Sequence, residues 1–412
     1  MSSLCDLLFR INFSEFCTDR EAIKFLLTCK SNVKFCSPRY QLKKSYSLRL
    51  LRPLINLESQ IQCLVSGISD VRRESDFAEL KSIKTLSKIS FHDVFDFDFT
   101  FNETEFLKLQ EISFGLKFNR YIIKLPFSLC KISFGANFKQ RLPFFPESLT
   151  ELNLGNAFDQ SLHILSSLPR LTSLALGDNF RQTILTLPES LKILKFSHDS
   201  LFNNSLDCLP LQLQTLSLGR HFNREVDSLP NSLLKLEFST GFNQCVNNLP
   251  PSLTYLSFGY DFNQSVDHLP ATLKYLKFGN TFSQPINHLP PLLTTLILSD
   301  NFNQCVDNLP SSLTHLALGW YFNYPVDNLP GSLLRLKFDN HFNQRVDHLP
   351  SQLTHLHFGH FFNQSVNHLP KTLIDLNFPL FFSPSVEHLY CVQTLTFKHF
   401  CDWAYDAEFE SR

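Results

Sequence analysis

The sequence is poor in several things that a chain of this size usually carries. Methionine occurs once and tryptophan twice in 412 residues, and only 12 glycines and 18% charged side chains leave both classes below their usual shares. Neither sign of charge dominates: 37 lysines and arginines face 38 aspartates and glutamates, with no acidic tail. The broad basic field that nucleic-acid binding normally needs is therefore missing. No apolar run approaches the roughly eighteen residues of a membrane span, and Asp6 and Arg10 interrupt what would be a signal-peptide core. These gaps point to a soluble, intracellular protein with no membrane partner. Eleven cysteines are scattered without any Cys-x-x-Cys pair; their odd number and spacing predict reduced, mostly buried thiols rather than disulfides or a zinc site. No Gly-rich phosphate loop, no Gly-x-Ser-x-Gly elbow and no nucleophile with a nearby base occurs, so the sequence predicts no enzyme activity and no cofactor.

Phenylalanine, at 43 residues, is about one in ten, and its placement is periodic. Leu-Pro recurs with proline at 210, 230, 250, 270, 290, 310, 330, 350 and 370, a spacing of 20 residues. Phe118, Phe138, Phe158, Phe180, Phe202, Phe222, Phe242, Phe262, Phe282, Phe302, Phe322, Phe342, Phe362 and Phe382 mark fourteen successive units, with a looser start at Leu86, Ile89 and Phe91. A fixed short period of this kind is the signature of a stacked repeat.

Within the unit that starts at Leu253, Leu256 and Phe258 alternate with Tyr255 and Ser257, the pattern of a short strand with one buried face. Gly259 suits a tight turn, and Phe262, Val266 and Leu269 supply further inward anchors. The proline after Leu269 fits an extended, polyproline-like return, and the unit is too short for a long helix. One such unit cannot bury its apolar side chains alone. The reading is therefore a solenoid with a parallel β sheet on the concave face and extended return segments, about 70 Å long at roughly 4.8 Å per coil. Asn203, Asn223, Asn243, Asn263, Asn303, Asn323, Asn343 and Asn363 follow the marker phenylalanines and would form a column bonding backbone groups of the turns; Ser283 and Ser383 break it.

The runs Phe-Asn-Gln-x-Val and Leu-Pro-x-Ser-Leu-x-x-Leu-x-Phe-Gly, over roughly residues 105–390, resemble the FNIP repeat family. That resemblance implies a leucine-rich-repeat-like solenoid. Val followed by Asp or Asn stands where the family's name has Ile-Pro.

Before residue 86 the period vanishes. Leu4, Leu7, Leu8 and Ile11, then Ala22, Ile23, Leu26 and Leu27, are spaced as short amphipathic helices, with Asp19 placed to cap the second. The order Asp6-Leu-Leu-Phe-Arg-Ile, Phe13, Phe16, Asp19, then Ala22 through Asn32 resembles a divergent F-box, without the Leu-Pro start or the tryptophan after Cys29-Lys30. The alternative is a helical cap over the open end of the solenoid. The layout as a whole is similar to the F-box and FNIP-repeat proteins encoded by giant viruses of amoebae, which implies the cytoplasm of a host cell. The resulting division is an F-box-like helical module over 1–50, a helical connector and cap over 51–85, a solenoid over 86–400 and a tail over 401–412. The basic run from Lys34 to Arg52 reads as part of a solvated connector.

Five histidines, His268, His288, His348, His368 and His388, share one repeat position. A line of like side chains does not converge on a metal, so no metal site is expected. What varies from unit to unit is the outward strand positions, and variation within a fixed frame marks a binding face. The expected target-binding residues are Lys235, Tyr255, Tyr275, Lys277, His315, Arg335, Lys337, His355 and His357. The F-box resemblance implies that Leu7, Leu8, Ile11, Leu26, Leu27 and Lys30 dock a Skp-type adaptor of a cullin-RING ubiquitin ligase. The chain would then be a non-catalytic substrate receptor; a stand-alone repeat scaffold is the alternative.

Overall fold

The structure, a computed structural model, describes residues 46–47, 67–81, 86–101, 106–386, 389 and 392–398. The proposed F-box-like module and its residues Leu7, Leu8, Ile11, Leu26, Leu27 and Lys30 lie outside the described residues, as do His388 and the tail. The chain divides into two compact units, residues 1–197 and 198–412.

In the first unit, β1 (Tyr46–Ser47) pairs in parallel with β2 (Gly67–Val71), and β2 with β3 (Lys88–Phe91). One short helix, α1 (Glu74–Leu80), lies between β2 and β3 and is capped by Asp76, whose carboxylate accepts from the backbone N–H groups of Arg72 and Arg73. The stretch read from sequence as a helical connector thus contains a strand of the sheet. Ile68 and Val71, the apolar side chains of Gly67–Val71, stand three apart, a spacing that also fits a helix, because the strand register is irregular between them. Phe77 of α1 packs among Phe91, Phe99, Phe101 and Phe106. The parallel sheet continues through β4 (Glu111–Ser113), β5 (Lys131–Ser133), β6 (Glu151–Leu154), β7 (Ser173–Leu176) and β8 (Ile193–Phe196).

The second unit holds β9 (Thr215–Ser217), β10 (Lys235–Glu237), β11 (Tyr255–Ser257), β12 (Tyr275–Lys277), β13 (Thr295–Ile297), β14 (His315–Ala317), β15 (Arg335–Lys337), β16 (His355–His357), β17 (Asp375–Pro379) and β18 (Thr394–Lys398). Every neighbouring pair is parallel, and from β9 to β17 residue n faces residue n+20. Each coil so supplies one short strand, as the period requires, and little helix occurs among the described residues.

The core is made of columns. Rings of the marker phenylalanines lie nearly parallel to those of the next coil: Phe222 and Phe242 have centroids 6.2 Å apart, Phe242 and Phe262 6.1 Å, Phe262 and Phe282 6.1 Å. A second column forms at the strand ends, where Phe258 stacks on Phe262 of its own coil at 3.7 Å and on Phe238 and Phe278 of its neighbours at 5.7 and 5.6 Å. On the outer face of the sheet Tyr255 and Tyr275 are only 4.2 Å apart. Spacing between equivalent rings therefore widens from the sheet towards the turns, so the coils of this unit splay away from the sheet and leave it on their concave side.

Polar columns complete the stack. Asn203, Asn223, Asn243 and Asn263 each accept, through Oδ1, the backbone N–H of the equivalent residue one coil later at 2.9 to 3.0 Å, and Asn303, Asn323, Asn343 and Asn363 repeat this. Asp96, Asn119 and Asp159 do the same in the first unit. A further column comes from the Ser or Thr that precedes the buried leucine after the proline turn in most units: Ser252 donates to Leu233 O at 3.0 Å, Thr272 to Leu253 O at 2.8 Å and Ser332 to Leu313 O at 2.7 Å. Each such bond between coils is worth about 1 kcal/mol net.

Three sequence expectations need correction. The return segment is a succession of turns instead of an extended run: Pro270 O accepts the N–H of Leu273 at 3.1 Å, and every regular coil repeats that turn. Proline serves here because it lacks the donor that a turn's first residue does not use. Gly259 has no positive φ; a Cβ there would stand 1.6 Å from the carbonyl oxygen of Ser239, so the requirement is close approach of the preceding coil. The cysteines Cys208, Cys245 and Cys305 are exposed and Cys130 is half-buried, because their repeat positions face outwards.

Phe262 is fully buried whereas Tyr255 is half-buried. Phe262→Ala is expected to cost about 3 to 5 kcal/mol in chemical denaturation, with loss of hydrogen-exchange protection concentrated around residues 240–285. Tyr255→Ala should cost well under half of that.

Candidate functional site: the outward sheet face

An inward residue lies between two outward ones in each three-residue strand, so Leu236, Leu256, Leu276, Leu296, Leu316, Leu336 and Leu356 are buried and their flanking residues look out. This geometry places all nine expected target-binding residues on one half-buried face of the second unit. Their registers align Lys235, Tyr255, Tyr275, His315, Arg335 and His355 in one row and Lys277, Lys337 and His357 in the other.

At one end Lys235 lies over the Tyr255 ring, 4.2 Å from its centroid, and its ammonium group is 2.9 Å from Glu237 Oε1. Ser217 donates to the same carboxylate at 2.7 Å. Burial, then the Glu237 charge, pushes the Tyr255 phenol above its usual range, with Lys235 opposing. At the other end His357 Nε2 is 3.4 Å from Asp375 Oδ2. Between Glu237 and Asp375 the outward positions of β11 to β16 hold no carboxylate at all. They hold Lys277, Arg335 and Lys337 with His315, His355 and His357.

The equivalent face of the first unit is different. Lys88 pairs with Glu111 at 2.5 Å and Lys131 with Glu151 at 2.6 Å, and that Glu151 hydrogen bond raises the Lys131 pKa. Of the other outward strand positions half are serine, and Asn153, Ala175, Ile193 and Lys195 fill the rest. Sequence reasoning identified the variable positions but not this contrast, which needs the register that sets Lys opposite Glu.

Away from the sheet, the histidine column pairs with carboxylates of the preceding coil: His288 with Asp267 at 3.2 Å, His348 with Asp327 at 3.3 Å and His368 with Asp347 at 3.0 Å. Hydrogen bonds from Ser265 and His288 lower the Asp267 pKa, and one from His368 lowers that of Asp347. Among the described residues no group of histidines, cysteines and carboxylates is arranged to hold a metal ion. No helix among them is long and apolar enough to cross a membrane. The turn edge beside the strands carries aromatic side chains, with His341 5.0 Å from Tyr321 and 5.1 Å from Phe361, and with Phe361 and Phe381 largely exposed.

His315 offers a pH probe of the face. Its burial comes first, and the neighbouring Arg335 and His355 add to it, in pushing its pKa below the usual histidine value, while Thr314 Oγ1 lies 2.8 Å from its Nδ1. Above about pH 6.5 the ring is neutral in both folded and unfolded chains. As pH falls below that value the unfolded chain takes up the proton first, so stability declines until the folded-state pKa is reached. His315→Gln is expected to flatten the dependence of Tm between pH 7.5 and 5.5, and in NMR the His315 ring should titrate below the usual histidine value.

Residues 202–241, 242–281, 282–319 and 306–341 match the family model described as FNIP Repeat. Among solved structures, the chain is 33% identical to CroV588, a circular LRR protein, over 84% of this chain, with a TM-score of 0.60. The match takes in 60% of that protein, so this chain spans less than two thirds of it. YopM from Yersinia enterocolitica WA-314 is 19% identical over 81% of this chain and 86% of its own, with a TM-score of 0.40. The functional domain of InlJ from Listeria monocytogenes is 13% identical over 78% and 71%, with a TM-score of 0.42. No curated protein matches the sequence. The chain thus carries FNIP repeats within a solenoid of leucine-rich-repeat type.

Proposed function

We propose that this chain is a non-catalytic substrate receptor of a cullin-RING ubiquitin ligase, which holds a target protein on the outward sheet face of the second unit and docks a Skp-type adaptor through residues 1–50. The observation that carries the binding part is the contrast between inward columns that repeat and outward residues that differ in β10 to β16. Tyrosine, arginine and histidine are types that anchor interfaces, and here they stand on a rigid frame, so little ordering entropy opposes binding. The adaptor part rests on the F-box resemblance of Leu7, Leu8, Ile11, Leu26, Leu27 and Lys30. No nucleic acid or cofactor enters this reading, and the ubiquitin-transfer chemistry belongs to the partners.

A stand-alone scaffold is favoured by one observation: β1 at Tyr46–Ser47, within the span given to the proposed module, pairs with the sheet, so the end of that span is part of the solenoid. Pull-down with a purified Skp-type adaptor separates the two. Leu8→Asp with Leu27→Asp should abolish adaptor capture and leave the circular dichroism of the repeats unchanged; loss of folded signal would instead assign those helices to capping. For the target, Tyr255→Ala with Tyr275→Ala should lower capture at least about tenfold, the scale of one anchor pair. Retained capture would move the site to the turn edge around Trp320, Tyr321 and Phe361.

A further inference from the structure

On the side of the coil away from the sheet, the exposed positions of a regular unit are polar or small, as in Ser265, Asp267, His268 and Ala271. The first unit departs from this. The coil marked by Phe118 puts Tyr121, Ile123, Lys124 and Phe127 there, and the next coil puts Phe144 at the place of Lys124, six residues after its marker Phe138. Leu107 holds the place of Phe127 one coil earlier, each two residues before a buried leucine. Equivalent places in stacked coils are neighbours, as the markers Phe118 and Phe138 show at 6.2 Å, so these side chains form one patch. Tyr121, Phe127 and Phe144 are 51, 66 and 79% exposed. At roughly 150 to 250 Å² for a whole aromatic side chain, the three alone leave about 400 Å² in water, to which Leu107 and Ile123 add. Stacking does not require this, since later coils stack without it. Apolar patches of that size mark interaction sites.

Beside the patch lies a pocket of about 460 Å³, lined by Phe77, Phe99, Tyr121 and Ile123 and by charged side chains of both signs. Phe77 of α1 and Phe99 have ring centroids 4.9 Å apart and supply its apolar wall. The volume is that of a ligand pocket and is ample for one aromatic ring. Charge then narrows the choice of occupant. Asp98, Tyr121 and Arg141 hold one equivalent position in three successive coils, each three residues after Phe95, Phe118 or Phe138, and both charged side chains are exposed. A row that runs from carboxylate through tyrosine to guanidinium complements itself when reversed. An anionic membrane would call for a rim of one sign instead.

We infer that this outer side of the first unit is where two copies of the chain pair about a two-fold axis. With the axis across the coil of Tyr121 and Phe127, Asp98 faces the partner's Arg141, and Phe144 enters the partner's pocket beside Phe99. Symmetry forms each of these contacts twice. Lys124 lies over the Phe127 ring, 5.7 Å from its centroid, and its flexible stem leaves the ammonium group at the edge of the contact. The patch is small beside the roughly 800 Å² per copy of a standard stable interface, so the pairing is reversible. It uses none of the residues assigned above to target binding and stands apart from that reading.

Sedimentation velocity of the full chain between about 1 and 200 µM should show the mean mass rising towards that of two chains. Phe127→Asp with Phe144→Asp should leave a monomer throughout. Asp98→Arg and Arg141→Asp should each weaken association at least about tenfold, because symmetry counts the reversed pair twice. Mixing those two variants in equal amounts restores opposite charges across both contacts and should recover association to within about threefold of the unaltered chain. Tyr321→Ser with Phe361→Ser, on the turn edge of the second unit, should change it less than about twofold. A monomer at every concentration, association that survives Phe127→Asp/Phe144→Asp, or a mixture that fails to recover would overturn the inference. So would a monomeric chain that binds phosphatidylserine vesicles and loses that binding in the phenylalanine variant, which would assign the patch to a membrane. Thermal melts of the variants should match that of the unaltered chain, since Asp98, Phe127, Arg141 and Phe144 are all exposed, and they separate lost pairing from lost folding.

Discussion

Everything in this molecule depends on one requirement: the phenylalanine of each coil must lie flat against its equivalent in the next. A coil of this length closes no core by itself, so its marker phenylalanine is buried only when the neighbouring coils are present. Phe262, fully buried between Phe242 and Phe282, shows the arrangement. Parallel rings fix both the spacing of coils and their register. Once register is fixed, every position repeats as a column, and each column must contain a side chain that tolerates a copy of itself as neighbour. Leucine and phenylalanine do so by packing, and asparagine does so by handing its carbonyl to the next coil's backbone N–H. Glycine does so by yielding space, as at Gly279, where a Cβ would stand 2.0 Å from the carbonyl oxygen of Gly259.

The same requirement explains where variation can occur. Outward strand residues meet their equivalents only across the sheet surface, so they can differ without disturbing the stack. The first unit fills these positions with serine and with lysine opposite glutamate, an arrangement that satisfies itself. The second fills them with stacked tyrosines, cations and histidines. Binding function, on this account, is written in the positions that folding leaves open.

Much of the fold was legible from the sequence because a column repeats every 20 residues. The strands, the phenylalanine stack and the asparagine ladder all follow from that spacing and from the side-chain types. What was not legible depends on a partner one coil away. The proline turn was read as extended because proline suits both; only the bond from Leu273 N–H to Pro270 O decides. Gly259 was read as a local turn residue, but its neighbour across the coils is what demands it. The Ser and Thr column, such as Thr272 donating to Leu253 O, carries no local signal distinct from an exposed hydroxyl. Asp96 and Asp159 replace asparagine in the ladder of the first unit, where carboxylate and amide oxygens accept equally well. The candidate face was found by position, since Tyr255, His315 and Arg335 fall at outward places of a regular unit. Its charge contrast with the first unit emerged only when the register set Lys131 beside Glu151.

The most direct measurement is a double-mutant cycle on the phenylalanine column. Phe242→Ala and Phe262→Ala, in adjacent coils whose rings are 6.1 Å apart, should be coupled by about 0.5 to 1.5 kcal/mol. Phe242→Ala and Phe342→Ala, five coils apart by the 20-residue period, should add independently within about 0.5 kcal/mol. Equal coupling of the near and distant pairs, or none in either, would contradict a structure held together coil upon coil and would remove the basis for reading its variable face as the binding surface.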